Sequence, residues 1–227
     1  MAFTYETKDT TALTDAEIAE MADICVEGPA GYDVGFLSKI REDWVLVNQA
    51  RENDKLQGFT FFTLERIGGT PSLLWGLFSV KRTAKRDTVL KNMILEQYKK
   101  AVLAFPDEDV LVGTRLLAPT GYSAFEKLID IVPRPDHKST GEERAWGRRL
   151  AKRFGVEGQV NDRSFVVTGK GETQPGMDIE PTKLPKSYDE SYEQFFADVD
   201  SKNGDALIAF GWASAEYFAE ISPGAKA

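Results

Sequence analysis

The sequence predicts an α+β fold: a mixed, mostly antiparallel central sheet flanked by helices, with a C-terminal extension. Three observations predict it. Runs 43–50, 56–67 and 72–80 are rich in aromatic and β-branched residues and are separated only by the short breaks "RENDK" and "GGTP", the pattern of an antiparallel meander. A long amphipathic stretch begins soon after, at Asp87. A further strand, 109–117, and a short helix, 122–129, then follow, so that helices and strands alternate only after the meander.

The elements can be justified in chain order. Thr14 and Glu17 stand at capping-box spacing, and Ile18, Met21, Ala22 and Cys25 recur at helical intervals, so a first helix starts at Thr14. Gly28, Pro29 and Gly31 break it, and "DVGFLSKIRE" forms a short second helix. The third β run, "SLLWGLFSV", is apolar almost throughout, as expected of a central strand covered on both faces. From Asp87, the residues Val89, Leu90, Met93, Ile94, Tyr98, Ala101, Val102 and Phe105 share one side of a helix, while Lys91, Glu96, Lys99 and Lys100 take the other. Asp87 or Thr88 can cap that helix, and "FPDED" ends it. Past residue 132 the pattern gives a helix at 139–155, a strand at 164–169, an irregular Pro-containing segment at 172–190 and a last strand at 206–212. The expected organisation is a core at 1–132 and an extension at 133–227 packed on it as one unit.

Charge excludes several function classes. Lys and Arg total 28 against 36 Asp and Glu, a net charge of −8, which argues against broad attachment to nucleic acid or anionic lipid. The single cysteine, Cys25, rules out an intrachain disulfide and suits a reducing compartment. The start "MAFTYETKDTTALTD" lacks the features of a signal peptide, and no run approaches the ~18 apolar residues of a membrane span, so a cytoplasmic protein is expected. One histidine, His137, in a loop beside Asp136, does not build a metal site, and none is expected. The basic face formed by Arg144, Arg148, Arg149, Lys152 and Arg153 is expected to be solvated.

One stretch does point to chemistry. In "GLFSVKRTAKRDTVL" the cations Lys81, Arg82, Lys85 and Arg86 gather where the long helix starts. A helix N-terminus is already positive, and each exposed cation there costs about 0.3–1 kcal/mol, so an anion should offset them.

The element order, with this basic loop between the last meander strand and the long helix, resembles the GNAT superfamily of acyl-CoA-dependent N-acyltransferases. The resemblance covers roughly residues 10–132. It implies that acyl-CoA lies in a gap between strands 72–80 and 109–117, with its pyrophosphate on the backbone from Lys85 through Arg86, Asp87 and Thr88 to Val89. It also implies that Phe78, Ser79 and Val80 face the donor, a backbone N–H near Ser79 or Val80 polarising the thioester. The implied activity is transfer of an acetyl or other acyl group to an amine of a small molecule or protein, without a metal. Against the family's pattern, Lys85 takes the leading basic position, while Arg86, Thr88 and Leu90 stand where glycines are usual. In "AFEKL", Phe125 stands where many members carry the tyrosine that protonates the leaving thiolate, leaving Tyr122, one turn earlier, as the candidate acid. Glu65 is the candidate base. The alternative is a GNAT-like fold that has lost coenzyme A binding and acts as a binding or regulatory module or does other chemistry in the same cleft. The missing glycines and Phe125 favour it. Whether 133–227 covers the acceptor or forms a homodimer contact stays open.

Overall fold

A computed structural model describes residues 3–186 and 188–221. The chain opens with β1 (Thr4–Asp9) and continues through α1 (Asp15–Cys25), α2 (Val34–Ile40), β2 (Leu46–Glu52), β3 (Lys55–Ile67) and β4 (Thr70–Val80). Then come α3 (Arg86–Ala104), β5 (Val110–Leu116), β6 (Ile129–Val132) and α4 (Gly141–Arg153). The short strands β7 (Val166–Val167) and β8 (Met177–Asp178) precede β9 (Ala206–Ala213) and α5 (Ala215–Ile221). The α+β class with a mixed, mostly antiparallel sheet is therefore the one observed.

Local chemistry accounts for most boundaries. The Thr14 and Glu17 capping box closes the start of α1, and Thr140 with Glu143 makes a second one at α4. Asp33 caps α2 by accepting from the Phe36 N–H at 2.7 Å. The tight β2–β3 turn uses Asn53 and Asp54 at φ 50° and 61°, residue types that tolerate the left-handed region.

The sheet runs in the order β1-β2-β3-β4-β8-β5-β9-β6, with β7 pairing on β9. Strands β1 to β4 form the expected antiparallel meander, and α3 carries the chain over to β5, which runs parallel to β4. Beyond residue 132 the chain returns to this sheet: β9 lies antiparallel between β5 and β6. Every residue from Pro71 to Val80 is buried, as a central strand covered on both faces requires. On one face Trp75 packs among Phe78, Tyr98 and Phe125 and donates its indole N–H to Gln97 Oε1 at 2.5 Å. On the other the Trp44 ring lies against Gly76, where an added Cβ would fall 1.9 Å from the ring.

Three expectations need correction. The helix expected at 122–129 is instead a 3-10 turn at Pro119–Phe125, followed by β6. Proline starts the turn, Asp130 takes φ 49°, which no α-helix continues through, and pairing with β9 claims the rest. The strand expected at 164–169 shortens to β7, because Phe165 at φ 62° kinks the chain. The irregular segment 172–190 contains β8, and β1 and α5 were not foreseen. β1 is an edge strand with alternating but polar residues, so apolar periodicity gives it no signal.

Candidate functional site

The candidate site is the gap between the C-terminal halves of β4 and β5. Their parallel pairing covers only Ser72 to Leu74 against Leu111 to Gly113. Directly after it the β3–β4 register shifts, Phe61 facing Leu77 and Phe62 facing Trp75, so Gly76 is the extra residue of a bulge. A bulge bends and twists its strand, and here it accompanies the parting of β4 from β5. Peptide groups along two parted buried strands lose their partners unless something takes the space between.

Residues of the chain itself take it. β8 runs parallel to both strands, with Met177 facing Phe78 and Leu116 and Asp178 facing Ser79. The Phe78 N–H donates to Gly176 O at 3.2 Å, and Tyr32 Oη donates to Gln174 O at 3.0 Å from the other side. Met177, Asp178 and Ile179 are all at most 1% exposed. Gly28, in the loop after α1, lies so close to Asp178 that an added Cβ would stand 2.1 Å from its Oδ2. A glycine is needed there for close approach, not for unusual φ.

The cation cluster finds its anions in the same segment. Arg82 Nη2 donates to Asp178 Oδ1 at 2.6 Å and lies 3.5 Å from Glu180 Oε2, while its backbone N–H donates to Glu27 Oε2 at 3.2 Å. Arg86, 4% exposed, donates through Nη2 to Ile179 O and through Nη1 to Asp87. Burial lowers the Arg86 pKa, with Asp87 acting against that shift. Lys85 points elsewhere, to Glu52 Oε1 at 2.5 Å, with its ammonium over the Phe3 ring. Of the cations at the start of α3, Arg82 and Arg86 are thus answered by a carboxylate pair and a carbonyl of residues 178–180, and Lys85 by Glu52.

Burial raises the pKa of both carboxyls of that pair, each facing the other, and Glu180 reaches about 7. A raised carboxyl favours the seated segment while protonated. That contribution is fully present below the ordinary carboxyl pKa of about 4.5 and is lost as pH rises through about 7. Amide exchange at Phe78 and Asp178 should accordingly be slower at pH 6 than at pH 8.5, after correction for intrinsic rates. Equal protection at both values would contradict the assignment.

The remaining expected site residues lie as follows. Ser79 and Val80 are fully buried, Ser79 against Asp178 in the ladder and beside the Cys25 thiol, which burial pushes up to about 12. Val89 is in the core, Thr88 is exposed, and Asp87 is taken by Arg86. Tyr122 does not face the gap with a free hydroxyl: its Oη donates to Pro133 O at 3.0 Å, and its ring stacks on Tyr192 at 3.9 Å. Burial raises its pKa well above the ordinary phenol value. Glu65 pairs with Ser72 at the opposite end of β4 from Ser79, about 23 Å away at strand rise, and its carboxylate accepts from Arg153 at 2.6 Å. Neither residue is placed to exchange protons with a group in the gap.

Asp178, Glu180 and Arg115 are the residues that sequence reasoning missed. Arg115 is 3% exposed on β5 with its guanidinium over the Phe154 ring at 5.1 Å, and burial lowers its pKa to about 10. An arginine inside an otherwise apolar strand, "VLVGTRLL", is the local signal that was available. Asp178 and Glu180 carried none, since only the fold brings them to Arg82.

No protein-family model matches the chain, and no curated protein matches it. Solved structures to which it is similar include acetyltransferases. An aminoglycoside 6'-acetyltransferase type Ii is 11% identical, with a TM-score of 0.42 over 57% of this chain and 86% of that one. ElaA of Escherichia coli is 12% identical, with a TM-score of 0.40 over 62% and 95%. A Bacillus subtilis acetyltransferase in complex with coenzyme A is 15% identical, with a TM-score of 0.40 over 61% and 89%. Among the described residues no helix is long and apolar enough to cross a membrane.

Proposed function

We propose that the chain is an acyltransferase-type fold whose donor gap is filled by its own residues 176–179, and that in this closed form it serves as a binding or regulatory module. The observation that supports this reading is the ladder of β8 with both β4 and β5. An acyl-CoA lying in that gap would need the same space. The residues present therefore do not fit the donor in this form. Replacement of the loop glycines by Arg86 and Thr88 agrees with this reading, because a side chain at those positions narrows a phosphate cradle.

A second reading has its own support. β8 is two residues long and is held partly by a buried charged cluster, Arg82 with Asp178 and Glu180, whose groups would regain water on leaving. If the segment leaves, the gap opens to an acyl-CoA, and the activity is acyl transfer to an amine of a small molecule or protein in the cytoplasm. Thermal unfolding with acetyl-CoA separates the two. The closed reading expects no shift for the wild type or for Asp178→Asn. The second expects a shift in Asp178→Asn, since a ligand at 100 times its Kd adds about 2.7 kcal/mol.

A further inference from the structure

We infer that β1 is the contact through which two copies of this chain pair edge to edge, antiparallel, about a two-fold axis at Thr7. The inference concerns the outer edge of the sheet and holds whether or not β8 leaves the β4–β5 gap.

β1 stands first in the sheet order and pairs with β2. Their register is unbroken from Thr4 opposite Arg51 to Asp9 opposite Leu46, and it continues into a bond from the Thr10 N–H to Val45 O at 3.0 Å. Antiparallel pairs alternate between those that exchange backbone bonds and those that do not, so Thr4, Glu6 and Lys8 turn their peptide groups to β2. Tyr5 and Thr7 turn theirs outward, as does Asp9 its N–H, and among the described residues no further strand receives them. Such an edge is a template for another strand.

The charges along β1 identify that strand. A lysine commonly guards a sheet edge, but Lys8 is drawn onto α1 by Glu17 and its side chain is only 21% exposed. Glu6 is exposed on the same face, two residues away, and its carboxylate has no partner among the described residues. When a second copy pairs about Thr7, the two Thr7 residues exchange both backbone bonds, and the Asp9 N–H of each copy meets the Tyr5 carbonyl of the other. Glu6 of each copy then stands opposite Lys8 of the other, in the closely spaced pairs where cross-strand charges attract. The Lys8 ammonium has three donors, of which Glu17 takes one. The neighbouring registers that keep the backbone pattern set Glu6 against Glu6 or Lys8 against Lys8, which like-charge repulsion disfavours. The strand is thus its own complement in one register. Six residues make a small interface, so the dimer is weak and reversible.

The test is sedimentation equilibrium of the full chain from about 1 μM to about 1 mM, where the mean mass should climb from that of one chain toward that of two. Thr7→Pro should abolish the climb. The lost N–H points outward, so the β1–β2 ladder keeps its bonds, and within the chain only the Asn48 contact to the Thr7 hydroxyl goes. Glu6→Lys and Lys8→Glu should each weaken the dimer about tenfold or more, because two-fold symmetry applies every change twice. Mixed in equal amounts, these two variants should pair again, since each contact between positions 6 and 8 then joins opposite charges. If Lys8→Glu does not fold for want of its Glu17 contact, Thr7→Pro and Glu6→Lys decide the matter. A mass that stays at one chain up to about 1 mM would overturn the proposal. So would a dimer that Thr7→Pro or Glu6→Lys leaves unchanged, or folded charge variants that do not pair when mixed.

Discussion

Replacing Asp178 with alanine is expected to cost about 3–5 kcal/mol, because it leaves Arg82, whose side chain is 8% exposed, facing the carboxylate it has lost in a buried site. Glu180, 3.5 Å from Arg82, recovers part of this by ionising once its neighbour is gone, so the lower end of the range is expected. The damage should be local as well as global. Protease cleavage within 170–186 should rise more steeply than cleavage elsewhere, since the segment rather than the sheet loses its anchor. Replacing the cation as well, with Arg82→Met added, should restore much of the stability, because an apolar pair removes the uncompensated charge. Denaturant unfolding of the single and double variants checks both statements, and a loss below 1 kcal/mol for Asp178→Ala would contradict the role given to the pair.

Trp75→Ala should be the most damaging change on the opposite face of the sheet. The ring is fully buried among Phe78, Tyr98 and Phe125, and removing a buried tryptophan typically costs 3–5 kcal/mol through lost contacts and the cavity left behind. It also strands Gln97 Oε1, which accepts the indole N–H, at a further cost of about 1–3 kcal/mol. For a chain of this length each kcal/mol moves Tm by about 2–4 °C, so a fall of at least roughly 8 °C is expected, and calorimetry reads it directly. Trp75→Phe should lose less, because most of the ring volume stays while the hydrogen bond goes.

The meander and the long helix were legible because their signals are local. β4 announced its central position by an unbroken apolar run, α1 by a capping box, and α3 by a sustained three- and four-residue rhythm. The cations at the start of α3 were legible too, and the physical question they posed was the right one. Their answer was not legible, because Asp178 and Glu180 lie about 95 residues away in a Pro-containing stretch whose composition says only that it is irregular. A strand of two residues has no periodicity to read. It exists because β4 and β5 part at the Gly76 bulge and leave peptide groups that need partners. The same holds for β6, where a helical pattern yields to pairing with β9. Tyr122 shows the limit of carrying a role over by spacing, and Glu65 that of choosing a base by its place at a strand end. Each has a suitable side chain, yet one hydroxyl is bound to Pro133 O and the other carboxylate to Arg153, away from the gap.

The self-filled gap is the central claim, and titration of the wild-type protein with acetyl-CoA, repeated with free coenzyme A, tests it most directly. The account predicts no heat of binding from either ligand up to millimolar concentration at pH 6, below the value of about 7 that Glu180 reaches, where its proton still favours the seated segment. Micromolar binding at that pH would contradict it, and would mean that residues 176–179 give way to an acyl donor.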